Sequence, residues 1–282
     1  MNNRQKFLFT SLLGFVALAA SAFPAAAAIS LGTASNFAVL SATTGGGGAV
    51  TCTDSTIAGD VGSSGLSASV VQTSCAITGA VIAPVDSQVL TDFNVAYDAL
   101  AGLSCDRTLI GTLDGVKLAP GVYCFAAAAA LTGTLTLDGP STGIWIFKVG
   151  TSGTGALTGT NFSVVMANGA VACNVYWWVH DAATMTTSDF KGTILAGAAI
   201  TVTGGTFAGR ALAKAAVTLT GVAATGCGSG KAVIPHKQRC NQGVGNGPEG
   251  CDPGNSNQGF PFRSNDEFGG VPGAPGRQGG NK

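Results

Sequence analysis

Threonines recur in pairs along the C-terminal half of this 282-residue chain, at a spacing that could place their hydroxyls on one surface. Because side chains of a β-strand alternate between its faces, both threonines of a Thr-spacer-Thr segment share a face, while the preceding residue points the other way. Threonine carries a hydroxyl that holds ordered water and a methyl group that limits competing hydrogen bonds, on a side chain stiff at χ1. An array of such threonines could adsorb to a regular surface. The five segments occupy residues 131–134, 157–160, 183–186, 200–203 and 217–220.

The recurrence of these segments predicts a β-solenoid, in which each coil passes through one strand and returns after a loop of variable length. The first threonines of successive segments lie 26, 26, 17 and 17 residues apart, counted from Thr132 to Thr218. Strands stacked about 4.8 Å apart would turn the threonine pairs into a flat array. Near-continuous apolar runs at 144–147, 175–178 and 193–195 predict a second, buried side of each coil.

Residues 84–103 break the β pattern and predict one amphipathic α-helix, because their apolar residues recur at three- and four-residue steps. Pro84 suits the first turn, Asp86 suits the positive N-terminal end, and Gly102 would end the helix. The apolar stripe of this helix must lie on a side of the solenoid, and the buried side is the natural partner. Short strand-like runs precede the helix at 37–40, 55–61 and 76–81.

Both ends of the chain differ in composition from its middle. Arg4 and Lys6, an apolar stretch and an A-x-A site ending at residue 28 predict a secretory signal peptide over residues 1–28, with a retained membrane anchor as the alternative. Residues 231–282 are rich in Gly, Pro and Asn and are expected to be a disordered tail. The sequence therefore predicts a secreted protein whose folded domain covers residues 29–230.

The composition of residues 29–230 excludes several classes of function. This stretch has 29 threonines, six basic residues, ten aspartates and no glutamate. The scarcity of basic residues argues against a nucleic-acid partner, and the absence of Glu together with the few Lys residues argues against a helical domain. We expect a monomer that needs no cofactor or metal, and no membrane insertion after signal cleavage. The tail is a candidate for contacts with cell-surface or matrix components.

All eight cysteines follow the cleavage site, and an even number in an exported chain indicates disulfides. Proximity in sequence suggests that Cys52 pairs with Cys75, Cys105 with Cys124, and Cys240 with Cys251, which leaves Cys173 for Cys227; other connectivities stay open. Metal binding is the competing interpretation. The sequence contains no C-x-x-C pair, and only His180 and His236 could add histidine ligands.

Over residues 31 to about 225 the chain resembles the microbial ice-binding proteins of the DUF3494 type, because six of its motifs occur in the order found in that family. They are LGTASNFAVL at 31–40, IAGDVG at 57–62, LAPGVY at 118–123, ACNVYW at 172–177, FKGTILA at 190–196 and GRALA at 209–213. The resemblance implies a discontinuous right-handed parallel β-helix of triangular section, mainly β, with one long α-helix packed alongside.

The resemblance also implies that one flat side binds ice, often through Thr-Ala/Gly-x-Thr/Asn motifs. Residues 158–161 and 203–206 fit this motif, whereas residues 186–189 depart from it with a charged Asp189 in the last position. We therefore predict an antifreeze-type protein that adsorbs to ice and inhibits ice growth or recrystallisation. The predicted ice-binding residues are Thr132, Thr134, Thr158, Thr160, Asn161, Thr184, Thr186, Thr201, Thr203, Thr206, Thr218 and Thr220.

Two other functions compete with this prediction. An adhesin-like or carbohydrate-binding module would use the same scaffold, and Trp145, Trp177 and Trp178 could stack on sugars if they were exposed. Parallel β-helices also host enzymes, but these need clustered carboxylates, and isolated aspartates in Gly-rich corners are usually turn residues. We therefore predict no catalytic residue. The polar residues considered for catalysis are Asp54, Asp60, His180, Asp181 and Asp189, and the charged residues expected to have structural roles at corners are Asp60, Lys191 and Arg210.

Overall fold

The computed structural model describes residues 29–227. The predicted signal peptide, the predicted tail and the Cys240–Cys251 pair lie outside the described residues. One α-helix, α1 (Ser87–Ala101), and short 3-10 turns at Gly32–Asn36, Ser67–Ser69 and Ala172–Asn174 accompany the strands. The strands are β1 (Phe37–Ser41), β2 (Val50–Thr53), β3 (Thr56–Ala58), β4 (Asp60–Ser63), β5 (Val70–Thr73), β6 (Ala76–Ile77), β7 (Val81–Ile82), β8 (Arg107–Thr108), β9 (Val116–Leu118), β10 (Gly121–Phe125), β11 (Ala129–Asp138), β12 (Trp145–Val149), β13 (Leu157–Ala167), β14 (Val175–Val179), β15 (Ala183–Lys191), β16 (Thr193–Ala196), β17 (Ile200–Ala208), β18 (Ala211–Ala213), β19 (Val217–Thr220) and β20 (Ala223–Thr225).

The strands stack in parallel and form coils with three sides. Nine strands, in the order β7-β4-β1-β18-β16-β14-β12-β10-β8, form the helix side. The remaining strands form one network in which the long strands β11, β13, β15 and β17 bend midway. Their first halves, together with β2, β5 and β19, form the threonine side. Their second halves, together with β3, β6, β9 and β20, form the third side. The fold is therefore a parallel β-helix, as the sequence predicts.

The bend between the threonine side and the third side is made by one backbone conformation that recurs on every coil. At this corner φ is positive, between +46° at Thr187 and +71° at Gly133. A left-handed backbone conformation costs little free energy at glycine and more at other residue types. The strands on both sides of the corner must therefore hold the non-glycine residues in this conformation. The corner residues are Ser74, Asp54, Gly221, Gly204, Thr187, Asn161 and Gly133.

The order of coils along the axis does not follow the sequence. β2 pairs with β19, with Val50 opposite Val217, and β1 pairs with β18. The N-terminal coils therefore stack on the last coil of the domain, and β5 lies beyond them at one end of the sheet. After α1 the chain resumes at the opposite end, where β8 and β9 lie. The β-helix is discontinuous for this reason.

The helix side buries residues on both of its faces. Inside the coils, Phe147 stacks on Trp177 with ring centroids 4.0 Å apart, and both rings are fully buried. On the outer face, Ile146, Trp178 and Leu195 are buried in a second cluster together with the apolar stripe of α1. The apolar runs that predicted a buried side beneath the helix are confirmed.

The helix is shorter at its start than the sequence predicts. Asp86 is the N-cap, and its carboxylate accepts a hydrogen bond from the Gln88 amide at 2.7 Å. Pro84 therefore precedes the helix rather than lying in its first turn. Gly102 is the C-cap, as predicted. No helix within residues 29–227 is long and apolar enough to span a membrane.

Three of the predicted disulfides are present and link neighbouring parts of the solenoid. Cys52 pairs with Cys75, Cys105 with Cys124, and Cys173 with Cys227. The first bond joins β2 to the corner that follows β5, so it fixes the end coil to its neighbour. All six cysteines of the described part of the chain are thereby paired.

Candidate functional site

The threonine side presents two columns of outward side chains on seven stacked strands. The alternation that points them outward also buries Leu157, Ile200 and Val217 inside the coils, as predicted. In the second column every strand contributes a threonine. The first column, from β5 to β11, is Val71, Thr51, Thr218, Thr201, Thr184, Thr158 and Ala130; the second is Thr73, Thr53, Thr220, Thr203, Thr186, Thr160 and Thr132.

The register of the first predicted segment is wrong by two residues. Ala130, not Thr132, lies opposite Thr158, and Leu131 lies opposite Gly159. Thr132 therefore belongs to the second column. Thr134 lies beyond the corner, on the third side opposite Ser163. The physical reason is the position of the corner, which falls at Gly133 and leaves only one threonine of this segment on the threonine side.

Three threonines of the site were missed by the sequence prediction. Thr51 and Thr53 lie opposite Thr218 and Thr220, and Thr73 lies opposite Thr53. A signal for the first two was present, because residues 50–53 read Val-Thr-Cys-Thr and match the apolar-Thr-spacer-Thr pattern. The N-terminal coils therefore lengthen the array by two rungs. At about 4.8 Å per rung, seven rungs extend over roughly 30 Å.

The hydroxyls of this array are available to water. Within residues 29–227, only Thr158 among the column threonines donates its hydroxyl to a protein group, the Ala129 carbonyl at 3.3 Å. Each of the seven strands contributes four residues to this side, and none of these 28 residues is charged; the segments are 70–73, 50–53, 217–220, 200–203, 183–186, 157–160 and 129–132. The threonine side is therefore a neutral plane of hydroxyl and methyl groups, mounted on strands that are paired to neighbours on both sides except at the two ends.

The last residue of each motif predicted from the family pattern lies at or beyond the corner. Asn161 occupies the corner itself, where its side-chain oxygen accepts a hydrogen bond from the Thr187 hydroxyl at 2.5 Å. Thr206 lies on the third side opposite Asp189. The motif at residues 203–206 thus spans two sides of the solenoid and is not a single flat feature.

The charge of Asp189 does not interrupt the threonine side, because this residue also lies beyond the corner. Its carboxylate pairs with Lys191 at 2.6 Å and accepts a hydrogen bond from the Thr206 hydroxyl. Burial alone would raise the pKa of Asp189, but the hydrogen bonds from Lys191 and Thr206 outweigh it and lower the pKa. Lys191 therefore pairs on the third side, at the end of β15 and next to Gly192, where the chain turns to the helix side.

The other polar residues considered from the sequence bond locally. Asp60 accepts from the Ala80 amide at 2.8 Å, and the Arg210 Nε donates to the Ser35 carbonyl at 3.0 Å. The His180 ring lies 2.8 Å from Asp181, whose other oxygen accepts from the Gly155 amide. Asp54 is one of the left-handed corner residues. Each of these groups supports a turn or a corner.

The three tryptophans do not offer a sugar-stacking surface. Trp145 and Trp177 are fully buried inside the coils, and their ring nitrogens donate to the carbonyls of Leu118 and Lys191. Trp178 is buried beneath α1, with its ring centroid 5.3 Å from that of Tyr97. All three belong to the two hydrophobic cores.

A parallel β-helix with one packed helix and a neutral threonine plane defines a class of protein built around a flat surface and not around a pocket. The sequence matches the family model described as ice-binding-like over residues 29–225, and the chain belongs to this family. It is 36% identical over 205 residues to an ice-binding protein of Nostoc sp. (strain HG1), which covers 70% of this chain and 72% of the relative. It is 33% identical over 222 residues to ice-binding protein K3-B1 of Typhula ishikariensis, which covers 69% of this chain and 88% of the relative.

Solved structures have the same fold. The crystal structure of an ice-binding protein from an Antarctic biological consortium superposes with a TM-score of 0.62 at 33% identity, covering 70% of this chain and 90% of that chain. An ice-binding protein from an Arctic yeast superposes with a TM-score of 0.61 at 25% identity, covering 71% of this chain and 94% of that chain. The predicted family and fold class are thus confirmed.

Proposed function

We propose that this protein binds ice and that the threonine side is the surface that adsorbs. The observation that supports the proposal is the second column, in which seven consecutive strands each present a threonine with no charged residue among them. The ice-binding relatives and structures described above support the same function.

The mechanism needs no catalytic group. Hydroxyl groups at a repeat of about 4.8 Å along the solenoid axis hold first-shell waters in a regular array, and the intervening methyl groups reduce the number of competing hydrogen bonds. Because each threonine side chain is stiff at χ1 and each strand is fixed by its neighbours, the protein loses little conformational entropy when it binds. Adsorbed molecules would pin the growing ice front and make it curve, which inhibits growth and recrystallisation.

We also propose that the chain is exported, in keeping with the N-terminal sequence and with the three disulfides of the described domain. Ice outside the cell would then be the partner. Export predicts that the mature chain begins at Ile29, which N-terminal sequencing of the protein recovered from culture medium would test.

The test of ice binding is thermal hysteresis and ice-crystal shaping by the purified chain. Thr203 lies on the central strand of the array, and Thr203→Arg should abolish most of the hysteresis because the long charged side chain holds the plane away from ice. Thr91→Arg, on the exposed surface of α1, is the matched control and should leave hysteresis unchanged. Both variants should keep the wild-type circular dichroism spectrum, since exposed substitutions usually change stability by less than about 0.5 kcal/mol. If folded wild-type protein leaves ice crystals unshaped, the proposed function is wrong.

A further inference from the structure

The half of the third side nearest the N-terminal coils carries a second regular pattern. Four stacked strands, β17, β20, β3 and β6, each present one threonine and one alanine outward, and the order reverses from each strand to the next. Thr206 lies opposite Ala223, and Ala223 opposite Thr56, which lies opposite Ala76. The other outward column of the third side runs Ala208, Thr225 and Ala58, and Thr78 continues it, because the Thr78 amide donates a hydrogen bond to the Ile57 carbonyl. We call these eight residues the checkerboard patch.

The side chains that alternate with the patch anchor it to the core. Phe207, Ala224 and Ile57 point inward and are almost fully buried. Seven of the eight patch residues are small and exposed, and Ala208 is partly buried. The Cys52–Cys75 disulfide fixes the outermost strand of the patch to its neighbour. The patch is therefore a regular, strand-anchored array of hydroxyl and methyl groups, of the same chemistry as the threonine side.

The charges of the third side stop at the edge of this patch. The other half of the same sheet carries the Asp189–Lys191 pair and the Lys117–Asp138 pair, the latter at 2.6 Å. None of the eight patch residues is charged. If threonine were present only because it suits exposed strands, charged residues would be expected on both halves of one continuous sheet. The separation of charge instead indicates a surface that excludes it.

The patch also shares an edge with the threonine side. Its four strands are continuous, through the corners at Gly204, Gly221, Asp54 and Ser74, with the strands that carry Thr203, Thr220, Thr53 and Thr73. Hydroxyl planes therefore meet along this corner at an angle. One molecule could present either plane to a growing crystal.

We propose that the checkerboard patch is a second ice-contact surface, which adsorbs to a different set of ice planes from the threonine side. This inference rests on the proposed function. It predicts that the wild-type protein, carrying a fluorescent label, marks at least two distinct sets of planes on a single-crystal ice hemisphere. The plane marked through the patch should persist when the threonine side is blocked by Thr203→Arg.

The decisive variants are Thr56→Arg and Thr134→Arg. They occupy the same outward column of the third side, but Thr56 lies in the patch and Thr134 lies in the charged half. Thr56→Arg should remove one set of marked planes and leave the other, while Thr134→Arg should leave both. Thr225→Arg is a second patch variant and should act as Thr56→Arg does, so that a folding defect at one position does not decide the result.

The outcomes separate the two proposals. A wild-type protein that marks no plane overturns ice binding itself. A wild-type protein that marks ice, together with folded patch variants that mark the same planes as wild type, overturns the second surface and leaves the first intact. Loss of the same planes in Thr134→Arg would also overturn the patch, because the effect would then not depend on the uncharged half.

Discussion

Lys148 provides a stringent test of how the helix is held on the solenoid. This residue lies on β12 beneath α1, is 5% exposed, and donates from Nζ to the carbonyls of Ala101 and Leu103 at 2.7 and 2.5 Å. Those carbonyls belong to the C-terminal end of the helix, where a positive charge is also favoured by the helix dipole. Burial lowers the pKa of Lys148, so the charged form is tolerated only because it is bonded.

We expect Lys148→Met to fill the same volume and to leave both carbonyls without this donor. Hydrogen bonds to a charged group contribute about 1.5–3 kcal/mol, and the gain from burying an apolar methionine offsets part of their loss. The net cost should be about 2 kcal/mol, which for a domain of this size corresponds to a fall in Tm of roughly 4–8 °C.

The assay is urea unfolding at pH 7, followed by far-ultraviolet circular dichroism with the disulfides intact. Lys214→Met is the matched control, because Lys214 Nζ lies 3.9 Å from the centroid of the Tyr97 ring and is less buried. A cation–π contact of this kind contributes about 0.5–1 kcal/mol. The free energy of unfolding of Lys214→Met should therefore fall by no more than about half as much as that of Lys148→Met. A Lys148→Met free energy of unfolding within about 0.5 kcal/mol of wild type would refute the reasoning.

Two further predictions concern the ends of the domain. Hydrogen bonds from the Thr33 amide and hydroxyl, and then from Gln88, lower the pKa of Asp92; the stabilisation is therefore present above the ordinary carboxyl pKa and lost as pH falls through the lowered value. Asp92→Asn should accordingly reduce Tm at pH 7, and the two proteins should converge as acid protonates Asp92; an equal difference at pH 7 and pH 2 would contradict this. Replacing Cys52 and Cys75 by serine opens a link between residues 23 apart and should cost about 3 kcal/mol, with faster amide exchange at Thr73 than at Thr160; uniform protection of both amides would show that the bond does not hold the end coil.

The helix and the helix side could be predicted because their signals are local. The three- and four-residue steps between Val89, Phe93, Ala96 and Leu100 leave one possible buried face, and Gly102 marks the end of the helix. The start of the helix is not determined by this pattern, since a proline just before a helix and a proline in its first turn give the same sequence signal. The side of the solenoid that α1 covers could then be predicted from the apolar runs at 144–147, 175–178 and 193–195.

The register of the threonine array could not be settled by the same means. Alternation has a period of two, so a shift of two residues at Thr132 keeps every side chain on the correct face and leaves the pattern unchanged. The corner decides the register, and its left-handed residues include Thr187 and Ser74, types that rarely adopt positive φ. Thr206 and Thr134 were assigned to the wrong side for this reason.

The stacking of the N-terminal coils on the last coil makes assembly of the surface a late event. Val50 lies opposite Val217, 167 residues later in the chain, so the two N-terminal rungs pair with each other but have no partner on the other edge of β2 until β19 has been synthesised and folded. An ordinary repeat array can nucleate anywhere and lengthen coil by coil, whereas contacts this distant in sequence slow folding and couple the two ends. A chain that stops before residue 217 would carry β13, β15 and β17 but leave the N-terminal rungs detached. The seven-rung array is therefore complete only after residues 217–220 have folded, and shorter chains would leave the edges of β2 and β17 unpaired.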